Sequence, residues 1–139
     1  MKLDVWERIQ DMFQRIESQL AEEVRKSSGL GVNEFRTLRT LIRQPKREMR
    51  MQELAEFLHL TQSSTTRLVE RLEKRGFVYR DSCPSDGRGK YCVLTDEGRR
   101  YINKAIPALE ATLESVLDSF FAAEDARSAV RELSELSLT

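Results

Sequence analysis

The segment from Leu60 to Thr95 constrains the fold more than any other part of the chain. It begins with Thr61, whose hydroxyl can cap a helix by accepting from an amide in the first turn. Apolar side chains then recur at the steps of one helical face: Leu68, Val69 and Leu72, with Thr65 beside them. Gly76 is suited to end the helix, because glycine readily adopts the left-handed conformation found there. The pattern therefore predicts an amphipathic helix between Thr61 and Gly76.

A β-hairpin is predicted directly after this helix. Aromatic and β-branched residues favour strands at 77–79 and at 91–94. Between them, turn-forming residues with a basic tip run from Pro84 to Lys90. Thr95 then opens another helix, whose first turn carries acidic residues where the helix dipole favours them. The whole segment is predicted to form a helix, a strand, a glycine-rich loop and a second strand.

The polar face of the predicted helix carries small hydroxyls, an amide and a guanidinium. Its residues are Gln62 (at the edge of the face), Ser63, Thr66, Arg67, Glu70 and Lys74. Such groups can reach phosphates and base edges without steric bulk. An ordinary solvated helix has a similar composition, so the helix alone leaves both interpretations open.

The hairpin resembles the wing of the MarR-type winged-helix transcriptional regulators. The wing motif of that family is Asp-x-Arg, five further residues, then Leu-Thr, often followed by a glycine. The matching residues are Asp86, Arg88, Leu94, Thr95 and Gly98. The preceding stretch, LTQSSTTRLVERLEKRGFVYR, is similar to the recognition helix and first wing strand, and Arg50–Leu58 to the short strand and supporting helix. Gly87 departs from the family, where a second basic residue is common, so the wing is expected to bind less tightly.

This resemblance implies a mainly α fold with a small β-hairpin wing and additional N- and C-terminal dimerisation helices. It implies a homodimeric DNA-binding regulator, a repressor on an inverted-repeat operator, with release by a small-molecule effector as a further expectation. The recognition helix would enter a major groove and Arg88 the adjacent minor groove. The expected DNA-binding residues are Thr61, Gln62, Ser63, Thr66, Arg67, Arg71, Asp86, Arg88 and Lys90. The alternative is a helical dimerisation module whose winged lobe binds a protein.

Long amphipathic helices are predicted at both ends of the chain. An apolar stripe runs through Leu3–Lys26, and another runs from Tyr101 to Phe121 past Pro107, which predicts a kink rather than a break. A last helix is expected at Asp125–Leu136, with four residues inward: Ala126, Val130, Leu133 and Leu136. By resemblance these helices form a dimer, although packing on their own domain is the alternative. The expected dimerisation residues are Val5, Ile9, Phe13, Ile16, Leu113, Leu117, Phe120, Val130 and Leu133.

We therefore interpret residues 1–139 as a single MarR-type module. The winged-helix DNA-binding lobe is expected at about 31–100, and the helical dimerisation region at about 1–28 and 101–139.

The first helix of the DNA-binding lobe is predicted to begin at Asn33, a good N-cap, and to run to about Arg43. Its predicted inward side chains are Phe35, Leu38, Leu41 and Ile42, and its basic ridge is formed by Arg36, Arg39 and Arg43. By resemblance, a small aromatic or phenolic effector is expected near Trp6, Phe35, Arg39 and Tyr101, which could instead simply be core.

Charge is distributed unevenly, although the chain as a whole is neutral. Lys plus Arg and Asp plus Glu each number 23, but from Arg36 to Arg100 there are 15 basic and 9 acidic residues. A basic middle with acidic ends is suited to bind DNA through the middle.

Other function classes find little support in the sequence. One histidine and two cysteines cannot complete a four-ligand zinc site without carboxylates, and no nucleophile or nucleotide motif is present. We therefore expect no enzyme, metal or cofactor, and interpret His59 as a turn or packing residue. No run of 18 apolar residues and no signal-peptide pattern is present, which favours a soluble, cytoplasmic protein. Cys83 and Cys92 are interpreted as packing or incidental thiols, with a redox switch as the alternative.

Overall fold

The computed structural model describes residues 1–82, 90–122 and 124–136. The helices and strands in chain order are α1 Lys2–Ser28, α2 Val32–Ile42, β1 Glu48–Arg50, α3 Met51–Leu58, α4 Gln62–Lys74, β2 Val78–Ser82, β3 Lys90–Leu94, α5 Asp96–Phe121 and α6 Glu124–Leu136. The predicted mainly α fold with a small sheet is confirmed. No helix in these ranges is both long enough and apolar enough to cross a membrane.

The chain divides into two compact units. The first consists of Met1–Ser27 with Ala108–Thr139, and the second of Ser28–Pro107. Pro107 lies inside α5, and the helix continues past it to Phe121, so the predicted absence of a break is confirmed.

The second unit has the element order of a winged helix-turn-helix. Helices α2, α3 and α4 enclose an apolar core whose fully buried members include Leu38, Leu41, Leu54, Val69 and Leu72. Between α3 and α4 the chain turns at His59, which adopts the left-handed conformation with φ 55°. The interpretation of His59 as a turn residue is confirmed, because this conformation ends α3 and lets α4 begin three residues later.

The three strands form an antiparallel sheet in the order β1–β3–β2. Glu48 pairs with Val93 and Arg50 with Tyr91, while Val78 pairs with Leu94 and Ser82 with Lys90. β2 is therefore an edge strand, and β2 and β3 together form the wing. The tip of the wing, with Cys83, Asp86 and Arg88, lies outside the described residues.

The ends of α4 follow the sequence prediction. The Thr61 hydroxyl accepts from the Ser64 amide at 3.1 Å and caps the helix. At the other end Gly76 has φ 78°, its amide donates to the Glu73 carbonyl, and the Phe77 amide donates to the Leu72 carbonyl. These two bonds form a Schellman motif, which satisfies carbonyls that the helix leaves without partners.

Thr95 joins the wing to α5. Its hydroxyl accepts from the Gly98 amide at 3.0 Å and donates to the Gly76 carbonyl at 2.6 Å. Asp96 and Glu97 occupy the first turn of α5, as predicted. Thr95 thereby holds the amino end of α5 against the carboxyl end of α4.

The predicted start of α2 was wrong. The N-cap is Gly31, whose carbonyl accepts from the Phe35 amide, and Asn33 lies within the first turn. The helix can begin earlier because the chain already turns at Gly29, with φ 70°, and because the Leu30 amide donates to the Ser28 hydroxyl. Along α2 the predicted inward residues Leu38 and Leu41 are buried, whereas Phe35 and Ile42 are only half-buried.

The prediction that Val130 faces inward was also wrong for the single chain. Its side chain is 41% exposed. The physical reason is that the described residues leave its face of α6 uncovered. The side chains of Phe120, Ala126, Leu133 and Leu136 lie outside the described part of the structure.

Candidate nucleic-acid interface

The outward face of α4 is polar along its whole length. Thr61, Gln62, Ser63, Arg67 and Arg71 are exposed, and Thr66 is half-exposed. Four buried side chains hold the helix on the core from the opposite side: Thr65, Leu68, Val69 and Leu72. The 3.6-residue repeat thus separates a packed face from one that is free to meet a ligand.

The hydroxyls at the amino end of α4 are partly engaged within the helix. Thr61 serves as the N-cap, and its hydroxyl also lies 3.2 Å from that of Ser63 and 3.0 Å from that of Ser64. The Thr66 hydroxyl donates to the Gln62 carbonyl at 2.9 Å. Because a hydroxyl retains lone pairs after such a bond, Ser63 and Thr66 can still contact a ligand.

A groove of about 500 Å³ separates α4 from the base of the wing. Its lining comes from five elements and consists of Arg50, Met51, Gln52, Gln62, Thr65, Thr66, Arg80 and Lys90. Three residues expected to bind DNA, Gln62, Thr66 and Lys90, therefore meet in one place. Arg50, Gln52 and Arg80 line the same groove.

Arg67 and Arg71 lie on the other flank of α4. With Ser64 they line a second cavity, of about 460 Å³, beside the amino end of α2. Arg71 is held there, with its Nε 3.5 Å from the Glu34 carboxylate. The expected DNA-binding residues of α4 are thus divided between its two flanks.

Arg50 provides a positioned cation at the base of the wing. Its Nε donates to the Tyr91 hydroxyl at 3.1 Å, its guanidinium lies 5.7 Å from the centre of the Tyr91 ring, and its Nε lies 3.9 Å from the Glu53 carboxylate. Such contacts restrict the rotamers of a long side chain before any ligand binds. The positive charge is therefore held beside Lys90 at the rim of the groove.

Arg80 and Glu73 form a pair that the sequence analysis missed. The Arg80 amide donates to one carboxylate oxygen of Glu73 at 3.1 Å, and its guanidinium donates to the other at 3.2 Å. These bonds lower the pKa of Glu73, the backbone bond most, because both favour the charged carboxylate. The sequence offers only a weak signal for this pair, two glutamates at positions 70 and 73 of one helix.

Within the second unit, Tyr101 does not line the same groove as Phe35 and Arg39. Tyr101 stacks on Phe77 with ring centres 4.3 Å apart, its hydroxyl donates to the Ser28 carbonyl, and Arg75 donates to that hydroxyl at 3.2 Å. Phe35 and Arg39 instead line a groove of about 430 Å³, together with Arg36, Thr40, Arg43, Gln44 and Phe57. Trp6 belongs to the first compact unit and is exposed.

Cys92 is fully buried in β3. Burial raises the pKa of its thiol to about 12; the negative charge of Glu73 adds to this effect and Arg80 opposes it. The thiol therefore remains protonated at neutral pH, which makes it a poor nucleophile.

Among the described residues no group of three histidine, cysteine or acidic side chains could hold a metal ion.

Comparison with known proteins agrees with this architecture. A sequence model of the MarR family matches residues 30–90. An uncharacterized HTH-type transcriptional regulator of Bacillus cereus is 31% identical over 114 residues, which cover 81% of this chain and 74% of that protein. YkoM of Bacillus subtilis, an uncharacterized HTH-type transcriptional regulator, is 34% identical over 82 residues, 59% of this chain and 52% of YkoM. The chain spans about half the length of YkoM and of the Escherichia coli repressor MprA.

Solved structures show the same fold. Sco3205, a MarR family transcriptional regulator of Streptomyces coelicolor crystallised in complex with DNA, matches with a TM-score of 0.78 and 29% identity, over 96% of this chain and 86% of that one. AbsC, a MarR family regulator of the same organism, matches with a TM-score of 0.79 and 26% identity, over 95% and 88% of the two chains. On the extent of these sequence matches and on its fold, the chain belongs to the MarR family.

Proposed function

We propose that the protein is a sequence-specific DNA-binding transcriptional repressor that acts as a homodimer on an inverted-repeat operator. One observation carries this proposal: the exposed polar face of α4 stands beside a groove rimmed by Arg50 and Lys90. A helix of this kind can enter a major groove while cations at its rim contact the phosphates. The DNA complex of Sco3205 and the repressor MprA support the same function in relatives.

Within this proposal, residues at about 31–100 form the DNA-binding lobe. Gln62, Ser63, Thr66 and Arg67 contact base edges or nearby phosphates, Thr61 holds the first turn of α4, and Arg71 and Lys90 contact the backbone. By the family resemblance, Arg88 enters the adjacent minor groove and Asp86 orients it. An arginine is suited to this place because narrow minor grooves attract the guanidinium.

Residues at about 1–28 and 101–139 form the dimerisation region in this proposal. In the single chain Leu3 is 73% exposed, Trp6 53% and Phe13 62%, and Val130 of α6 is exposed as well. Large apolar side chains grouped on terminal helices indicate an association surface. The proposed dimer contacts are Val5, Ile9, Phe13, Ile16, Leu113, Leu117, Phe120, Val130 and Leu133.

We further propose that a small aromatic or phenolic effector weakens operator binding. The groove of Phe35 and Arg39 supports this part, because it combines aromatic rings with guanidinium groups that can pair with an anion.

A salt titration tests the DNA-binding function. The protein is titrated against a duplex of random sequence, and against fragments selected from the source genome for binding, at increasing NaCl. Contacts to several phosphates predict that log K falls linearly with log salt, with a slope of about −0.9 for each phosphate neutralised. An affinity for duplex that does not change with salt would exclude this function and favour a protein-binding lobe.

Arg67→Ala locates the contact surface. If Arg67 makes a bidentate base contact, its loss should weaken operator binding by roughly 1–3 kcal/mol and random duplex much less. Arg131→Ala, which removes an exposed arginine from α6, is the matched control and should change neither. An equal loss on both duplexes would identify a phosphate contact, and no loss on either would remove Arg67 from the interface.

A further inference from the structure

Arg80 connects the wing to the recognition helix at two points. Its backbone amide donates to Glu73 Oε2 at 3.1 Å, and its Nη2 donates to Glu73 Oε1 at 3.2 Å. Its Nη1 lies 3.7 Å from the Glu70 carboxylate, one turn earlier on α4. Both oxygens of one carboxylate are therefore bound to one residue of the wing.

This connection acts on an edge strand. β2 pairs with β3 on one side only, and Arg80 lies opposite Cys92 in that pairing. On the open side the Glu73 carboxylate takes the place of a neighbouring strand for the Arg80 amide. Cys92 of β3 is buried in the core. Because Arg80 of β2 pairs with Cys92, a restraint on Arg80 also restrains β3.

The surroundings of Arg80 do not favour a direct phosphate contact. Its side chain is 29% exposed and lies between two carboxylates of the same helix. A phosphate approaching this guanidinium would be repelled by Glu70 and Glu73. The guanidinium is therefore better placed to bind the helix than to bind DNA.

We propose that Arg80 is a positioning residue that fixes the angle between the wing and α4, so that the wing tip and the recognition helix reach one duplex together. This inference rests on the proposed DNA-binding function. Holding two contact elements in their bound arrangement reduces the conformational entropy lost on binding. A wing released from α4 would lose that advantage even if every contact residue were still present.

A double-mutant cycle tests this proposal. Arg80→Gln keeps much of the side-chain length but removes the charge and the planar guanidinium group. Arg88→Ala removes the expected contact at the wing tip. Arg80→Gln should weaken operator binding roughly tenfold in the wild-type background and less than about twofold when Arg88 is already alanine. The same loss in both backgrounds would overturn the proposal, because Arg80 would then act without the wing.

Two further variants separate positioning from charge. Arg80→Lys keeps the charge but loses the planar guanidinium group, so it should recover only part of the operator affinity. It also replaces Arg80→Gln in the cycle if that variant does not fold. Lys74→Gln removes a positive charge from the same end of α4 and should show an equal loss in both Arg88 backgrounds. Full recovery by Arg80→Lys would contradict a role that depends on the planar group.

Hydrogen exchange of the free protein provides a readout that needs no DNA. The amides of β2 should exchange at least severalfold faster in Arg80→Gln, while the amides of α2 keep their wild-type rates. Unchanged exchange in β2 would refute the connection itself. Absence of salt-dependent duplex binding by the wild-type protein would instead refute the proposed function, and the two failures are therefore distinguishable.

Discussion

Gly98 tests how the wing is joined to α5. It lies in the first turn of α5, where a Cβ atom would stand 2.2 Å from the Phe77 carbonyl oxygen and 2.9 Å from Leu94 Cδ1. That carbonyl accepts from the Thr95 amide at 3.0 Å. A methyl group at position 98 therefore cannot be accommodated unless this junction moves.

The expected size of the effect follows from three contributions. Forcing a methyl group into a packed site costs about 1–3 kcal/mol. Loss of the bond from Thr95 to Phe77 adds about 1 kcal/mol. Replacing glycine by alanine within a helix returns up to about 1 kcal/mol. Gly98→Ala should therefore lower the free energy of unfolding by about 1–4 kcal/mol, although the same substitution in an unobstructed helix would raise it.

Urea unfolding, followed by circular dichroism, measures this change. One fixed protein concentration is used throughout, because any self-association makes the measured stability depend on concentration. Gly31→Ser is the matched control. A Cβ at Gly31 meets only Glu34 Oε1 at 3.6 Å, and a serine there would complete a capping box with Glu34. The control should be as stable as the wild type or more so. A Gly98→Ala variant that unfolds at the wild-type urea concentration or above would refute the steric argument.

Three further predictions concern the terminal helices and the buried thiol. The exposed apolar side chains of α1 predict a two-fold dimer, and sedimentation that shows a stable monomer at micromolar concentration would contradict it. In a Cys83→Ser variant, Cys92 should not react with a thiol reagent at pH 8 until denaturant is added. The reason is that burial raises the pKa of this thiol to about 12 and blocks access to it. Stoichiometric reaction of the folded protein would show that β3 opens readily. The same raised pKa predicts that this thiol's contribution to stability is lost as pH rises above about 9, where the unfolded chain starts to ionise.

The sequence by itself determined the features that depend on neighbouring residues. The cap at Thr61, the Schellman end at Gly76 and the start of α5 after Thr95 are all made by groups within a few residues of one another. The buried face of α4 was predictable for the same reason, since helical periodicity is a local property. The limit of such reasoning is visible at Asn33, which has the chemistry of an N-cap but is preceded by a turn that starts the helix earlier.

Only the tertiary structure decided which residues from separate elements meet. Gln62, Thr66 and Lys90 share a groove, while Arg67 faces the other flank of the same helix. Glu73 and Arg80 are separated by the end of a helix and a turn, and the direction in which β2 leaves that turn brings their charges together. Tyr101 was grouped with Phe35 by the family resemblance, and it is the fold that stacks its ring on Phe77. Aromatic and charged side chains have many acceptable partners, so their spacing along the chain does not select among them, whereas the packing of helices and sheet does.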